Sequence, residues 1–226
     1  MRQMPNPEEK LKNVALFLCL ADKLSQNGII GDRLKIQKCT FLVTLDQFQK
    51  KQKGFNLTFY RYHWGPFSKQ LYDVSTFLRS AKLLVGKDLP DAEAGEVFHL
   101  TKAGMSVATE ICGEILGDPQ NAPFVDTILR IGETYRTSTT HKVIEDVYDL
   151  EVKPINGPKQ KIRDMNEGLD ITRVFEPSEA LSEIVIPQSW LETLAIMCST
   201  ESRRGIAEAE EDLVQGRVYS HAEVWG

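Results

Sequence analysis

The sequence predicts a mainly α protein with a small β component, and three observations predict it. Apolar residues recur at helical spacing through most of the 226 residues. The alternating runs 57–63 and 96–100 are short and have strand character. Residues that start or stop helices, among them Asn6-Pro7, Asp32, Thr101 and Gly216, stand at the ends of the periodic stretches.

In chain order, residues 8–26 place Leu11, Val14, Ala15, Leu18 and Ala21 on one helical face, widened by Phe17, Leu20 and Leu24. Asn6 caps this helix and Asn27-Gly28 stops it. A second helix, 32–50, is capped by Asp32 and apolar on nearly every side, which predicts a central position. Residues 57–63 form a strand broken by Trp64-Gly65-Pro66, and Ser68 caps a third helix running to residue 84. Leu83-Leu84-Val85 and residues 96–100 are two strands flanking a polar tip at 86–95, and Thr101 caps a helix over 102–116. Helix, hairpin and helix in this order predict a winged-helix-like domain with the tip as its wing. Short helices follow at 123–135 and 140–149. Residues 152–168 are polar and turn-rich, 182–186 form a short strand, and helices follow at 188–198 and 203–215.

The domain organisation expected from this pattern is a helical domain with a β-hairpin wing over 1–152, a linker with a short strand over 153–186, and an acidic helical tail over 187–226. Hydrophobic residues make up 42% and charged residues 26%, so the chain can bury a sizeable core. Residues 1–112 carry 16 Lys and Arg against 11 Asp and Glu, whereas 113–226 carry 11 against 21. A basic half joined to an acidic half predicts surfaces for different partners.

Cys19, Cys39, Cys112 and Cys198 are far apart and form no paired motif, which predicts free thiols and no metal site. Free thiols suit a reducing compartment, and the polar first twelve residues lack the apolar core of a secretory signal. The longest apolar run, 14–21, is too short to span a membrane. The expected location is cytoplasmic. No phosphate-cradling loop, zinc-protease helix or serine-nucleophile elbow occurs, and the four histidines are dispersed. The acids Glu208, Glu210, Glu211 and Asp212 read as a solvated helix face. A non-catalytic protein without a cofactor is therefore expected.

Residues 61–68, Arg-Tyr-His-Trp-Gly-Pro-Phe-Ser, interleave aromatic and basic side chains. Two readings compete. Either the aromatics line a binding surface of the kind that stacks nucleic-acid bases, or Tyr60, Tyr62 and Trp64 pack the core while Gly65-Pro66 turns the chain.

Leu34-Lys35-Ile36-Gln37-Lys38 resembles the K-L-Q-K-L-L-Y helix of the Panacea family, which includes SocA-type and YwgA-like proteins. Trp64-Gly65-Pro66-Phe67-Ser68 with Leu71-Tyr72 is similar to the family's W/Y-G-P segment, and Leu100-Thr101-Lys102-Ala103-Gly104 to its L-T-x-x-G turn. Ile144 to Tyr148 resembles its late helix, so the likeness covers about residues 9–152. Cys39-Thr40-Phe41 departs from the usual leucine-leucine-tyrosine. The family motif residues here are Gln37, Lys38, Trp64, Gly65 and Pro66. The resemblance implies a non-catalytic, mostly helical domain frequent in bacterial and phage antitoxins, some of which act as proteolysis adaptors.

Residues 204–224 resemble the C-terminal tail of type II antitoxins that neutralise RelE/ParE-like toxins, with Ala222 in place of the usual Glu. Ile206 and Leu213 form a narrow apolar stripe among acids, Gly216 ends the helix, and Ser220 with Glu223 forms a capping box. A single capped turn cannot hold itself in water, so its side chains need another surface, this protein's own or a partner's. Residues 176–226 carry 10 acids against 3 bases, which matches a basic groove.

The leading expectation is thus an antitoxin-like protein that neutralises a small basic toxin through Ile206, Leu213, Val218, Tyr219 and Val224, and autoregulates. The alternative is a winged-helix DNA-binding regulator reading duplex DNA through Lys69, Gln70 and Arg79, with Lys87 on the wing. A homodimer is compatible with either.

Overall fold

The computed structural model describes residues 4–88, 96–176 and 178–217. Helix α1 (Pro7–Leu24) leads through strand β1 (Ile29–Asp32) into α2 (Arg33–Gln49). Three short strands follow: β2 (Gln52–Lys53), β3 (Phe59–Tyr62) and β4 (Gly65–Phe67). Helix α3 (Gln70–Ser80) precedes the antiparallel pair β5 (Leu84–Asp88) and β6 (Glu96–Leu100), and then come α4 (Lys102–Gly117), α5 (Ala122–Tyr135) and α6 (Thr140–Asp149). Strands β7 (Glu151–Val152), β8 (Gln160–Lys161), β9 (Asp170–Thr172) and β10 (Ser182–Glu183) lie in the next stretch, before α7 (Gln188–Cys198) and α8 (Thr200–Val214). The fold is mainly α with small sheets of two or three strands.

Three N-caps expected from sequence, Asn6, Asp32 and Thr101, are present, as is the helix stop at Gly216. Asn6 and Glu9 exchange side-chain to backbone hydrogen bonds, both 2.8 Å, at the head of α1. Asp32 accepts from the Lys35 amide at 2.8 Å and Thr101 from the Gly104 amide at 2.9 Å. Each satisfies a donor that the first helical turn leaves without an intrahelical partner. Gly216 ends α8 at φ 70°, and the Arg217 amide reaches back to the Asp212 carbonyl at 2.7 Å.

The core forms around α1 rather than around α2 alone. Every residue from Asn13 to Ala21 is buried, because α3, α4, α5 and α7 all pack against this helix. One apolar face was legible in the sequence; Asn13, Leu16 and Cys19, which were not assigned to it, are buried as well. Asn13 also belongs to the interior, where its Oδ1 accepts from the Asn56 amide at 2.9 Å. Gln47 likewise holds the Phe55 amide at 2.9 Å. Side chains thus satisfy the backbone of the buried, irregular segment 54–58.

Several local expectations differ from the structure. Asn27 (φ 51°) and Gly28 (φ 83°) do not cap α1 but form the two-residue turn of a tight hairpin, in which Gln26 and Ile29 exchange two backbone bonds of 2.9 Å. That turn launches β1, which the sequence did not reveal. Helix α3 stops at Ser80 instead of residue 84 because Lys82 takes a left-handed conformation (φ 57°), letting the Leu83 amide bond the Leu78 carbonyl. Ser68 does not cap it; both of its backbone polar groups are engaged by Gln37.

Residues 153–186 are more than a connector. Ile162, Met165, Ile171, Val174, Phe175, Ile184 and Ile186 are all buried, β9 pairs with β3, and β10 pairs in parallel with β2. Helix α7 also packs on the body through buried Leu191 and Leu194. No helix among the described residues is long and apolar enough to cross a membrane.

The sheet built from β1, β5 and β6 has the order β1-β6-β5, with α1, α2 and α3 preceding the β5–β6 pair. The tip of that pair, 89–95, lies outside the described residues.

Candidate functional site

Three polar residues of α2, Lys35, Gln37 and Lys38, bind backbone carbonyls of distant segments. Lys35 Nζ donates to the carbonyls of Arg136 (3.2 Å) and Ser138 (3.0 Å), where α5 runs out. Gln37 accepts from the Ser68 amide and donates to the Ser68 carbonyl, both at 3.0 Å. Lys38 Nζ donates to the Pro66 carbonyl at 2.8 Å. Two consecutive helix residues therefore grip the segment 66–68, which accounts physically for motif residues that are 26 or more positions apart in the sequence.

The gripped segment is the second arm of a β-hairpin, with Tyr62 paired to Gly65 and Arg61 to Pro66. Gly65 has φ +87°, a conformation strained for other residues, and a Cβ there would meet Lys38 Cε at 3.4 Å and Tyr148 Cε1 at 3.5 Å. Pro66 sits on an edge strand, since the sheet order is β4-β3-β9. The hairpin is also fastened from α6: the Tyr148 hydroxyl donates to the His63 carbonyl at 3.3 Å, and the Arg61 guanidinium lies 5.4 Å from the Tyr148 ring centroid.

Between this hairpin and helices α2, α3 and α6 runs a groove of about 890 Å3. Tyr62, Trp64, Phe67, Tyr72 and Tyr148 provide its aromatic lining, with Gln37 and Lys38 at the α2 wall. Trp64 is 65% exposed and Tyr62 43% exposed. The core-packing reading of these two aromatics is therefore corrected: a two-residue turn carries Trp64 away from the body. The four separated motifs meet here in three cases, through α2, the hairpin and α6. The fourth, Leu100 to Gly104, is architectural. Thr101 caps α4, and a Cβ at Gly104 would collide with the backbone of Leu83.

Lys38 is 2% exposed, and burial together with the nearby positive Arg61 pushes its pKa down to about 7. Burial also lowers Lys35, and it raises Cys39 to about 12. His63 Nδ1 lies 2.8 Å from a Glu167 carboxylate at the groove's outer edge.

A second candidate surface is α8. None of its residues is buried, and Ile206, Leu213 and Val214 are strongly exposed. Its start is fastened by Ser199, which caps it at 3.1 Å, and by Arg203, which donates to the Ser80 carbonyl at the end of α3. Ile206 and Leu213 are seven residues apart and so share a face. Val218, Tyr219 and Val224 lie outside the described residues.

The residues expected to read DNA do not form one surface. Lys69 and Lys87 are exposed, and Arg79 pairs with Glu96 at 3.0 Å. Gln70 is buried, its Oε1 accepting from the Thr58 amide at 2.7 Å, so it is a structural side chain and not a base-reading one. Its role was not visible in sequence because the acceptor's partner lies in irregular backbone.

All four cysteines are free thiols; Cys19, Cys39 and Cys112 are buried. Cys19 and Cys112 stand Sγ to Sγ at 2.7 Å, and this contact raises the Cys19 pKa and lowers that of Cys112. Comparison of the chain with protein-family models finds no match, and comparison with curated proteins finds none either.

Proposed function

We propose that this protein is a non-catalytic, antitoxin-like binding protein whose C-terminal helix captures and blocks a small basic toxin of the RelE/ParE type. The observation that carries this reading is α8. It has Ile206 and Leu213 on one face, five acids against two bases along Thr200–Val214, and no buried residue. An isolated helix of this length is marginal in water, and a partner groove would bury the stripe while the acids speed encounter with a basic surface. Fastening of the helix start through Ser199 and Arg203 orders the element and leaves its apolar face open. The likeness of residues 204–224 to antitoxin tails supports the same partner class.

The test is co-expression with a basic RelE/ParE-type toxin encoded beside this gene, with growth and co-purification as readouts. Deleting 200–226 should abolish both rescue and capture, and Ile206→Asp with Leu213→Asp should do so without disturbing the body. Full protection by the truncated chain would sink the proposal.

The sheet order β1-β6-β5 behind three helices supports a second reading as a winged-helix DNA-binding regulator, with Lys69 and Lys87 as phosphate contacts. The burial of Gln70 and the Arg79–Glu96 pair weaken it. Duplex DNA binding that falls steeply with salt is its signature, and no retention at low salt would dispose of it.

A further inference from the structure

We propose that the aromatic groove between the β3–β4 hairpin and helices α2, α3 and α6 is a nucleotide-binding site, in which a base stacks on Trp64 and Tyr62 and a phosphate is received by Lys38. This goes beyond the capture of a toxin and uses none of α8.

Charge is the first argument. Lys38 is an almost fully buried amine whose one hydrogen bond among the described residues is to the Pro66 carbonyl, leaving two of its three donors for something else. The nearest charge acting on it is another cation, Arg61. Arg61 binds the carbonyls of Ile162 and Tyr62, and no carboxylate among the described residues pairs with either cation. Two like charges held together without an acid are unfavourable, so the amine gives up its proton easily, and an anion in the groove would favour the charged form. The contrast with the rest of the molecule is direct: Lys53, also buried, pairs with Glu9 at 2.6 Å, and Arg33, at the groove's far end, pairs with Glu96 at 3.0 Å. The carboxylate on the lining, Glu145, is turned to His141 at 3.3 Å.

Shape is the second. Planar side chains line the groove, Trp64 and Tyr62 among them exposed, and its volume of about 890 Å3 suits a small organic ligand. Gly65 separates Trp64 from Lys38, and a built Cβ at that position would lie 3.6 Å from Lys38 Nζ. The amine thus lies against Gly65, the residue that follows Trp64, and both Lys38 and Trp64 line the same groove. Stacking on exposed aromatics combined with uncompensated cations is the general chemistry of nucleotide and single-strand recognition. The nucleotide could be free or part of a strand, and the two sources are separable.

The full-length protein at about pH 6, where Lys38 is protonated, is titrated by calorimetry with the four ribonucleoside monophosphates, inorganic phosphate and a short single-stranded oligonucleotide. At least one nucleotide should bind, and inorganic phosphate should bind about tenfold more weakly or not at all. Trp64→Ala, at an exposed position, and Lys38→Met should each weaken nucleotide binding about tenfold. Binding of the mononucleotide identifies a free ligand; binding of the oligonucleotide alone identifies a strand. If none of the nucleotides or the oligonucleotide binds, the proposal fails. It fails equally if phosphate matches the nucleotides, or if Trp64→Ala leaves affinity unchanged. Should Lys38→Met not fold, Trp64→Ala and Tyr62→Ala, both at exposed positions of the lining, decide.

Discussion

Replacing Gln37 with methionine tests the clamp on which the groove depends. Methionine keeps the length and flexibility of the side chain but offers neither the amide donor nor the acceptor. Gln37 is 3% exposed and Ser68 fully buried, so the Ser68 amide and carbonyl would lose their partners with no water to replace them. A buried polar group stripped of its partner costs about 1–3 kcal/mol, so two cost roughly 2–6 kcal/mol. Burying the thioether in place of the amide offsets about 1 kcal/mol, which leaves a loss of roughly 1–5 kcal/mol. For a chain of this size each kcal/mol moves the midpoint by about 2–4 °C, so Tm should fall by roughly 2–20 °C. Thermal unfolding followed by circular dichroism measures this. Trp64 emission should shift as well, because the hairpin arm it stands on is the clamped element. A change in Tm below about 2 °C with unaltered Trp64 emission would refute the clamp, since the backbone of Ser68 would then have other means of satisfying itself.

Leu194→Ala, at a fully buried site, should cost about 2–5 kcal/mol, while Leu213→Ala, at 64% exposure, should change stability by less than about 0.5 kcal/mol; equal losses in urea unfolding would show that α8 packs on the body. With a folded pKa of about 7 against an unfolded value of 10.5, Lys38 is deprotonated in the native state and protonated in the unfolded state between those limits. The unfolded chain binds the extra proton there, so stability should rise as pH climbs from about 7 towards 10.5, by up to about 1.4 kcal/mol per unit, and should fall as pH drops through 7. The charged and titratable groups around it are Arg61 of β3, His63 of the turn, Arg33 of α2, Tyr72 of α3, and His141, Glu145 and Tyr148 of α6. Subtracting the profile of Lys38→Met removes what they share, and parallel profiles would contradict the burial of the amine. Thiol titration of the native protein should detect Cys198 alone, with Cys19, Cys39 and Cys112 reacting only after unfolding; rapid reaction of all four would contradict the packing around α1.

The amino-acid order alone determined the helices, most of their caps and the β5–β6 pair, because those depend on contacts three or four residues apart and on the period of burial. It also marked Gln37, Lys38 and residues 64–66 as belonging to one motif set, without saying what joins them. Only the tertiary structure decided that these residues grip one another across the α2–hairpin boundary, that Trp64 faces outward while Gln70 faces inward, and that residues 153–186 are woven into three small sheets. The physical reason is the same each time. Periodicity records which side of an element is apolar, whereas the partner of a buried amide, amine or carbonyl is chosen by whatever distant backbone the packing brings within 3 Å or so. Lys38 and Lys53 read alike as lysines in a chain; that one meets a carboxylate and the other only a carbonyl is a fact of where the helices cross.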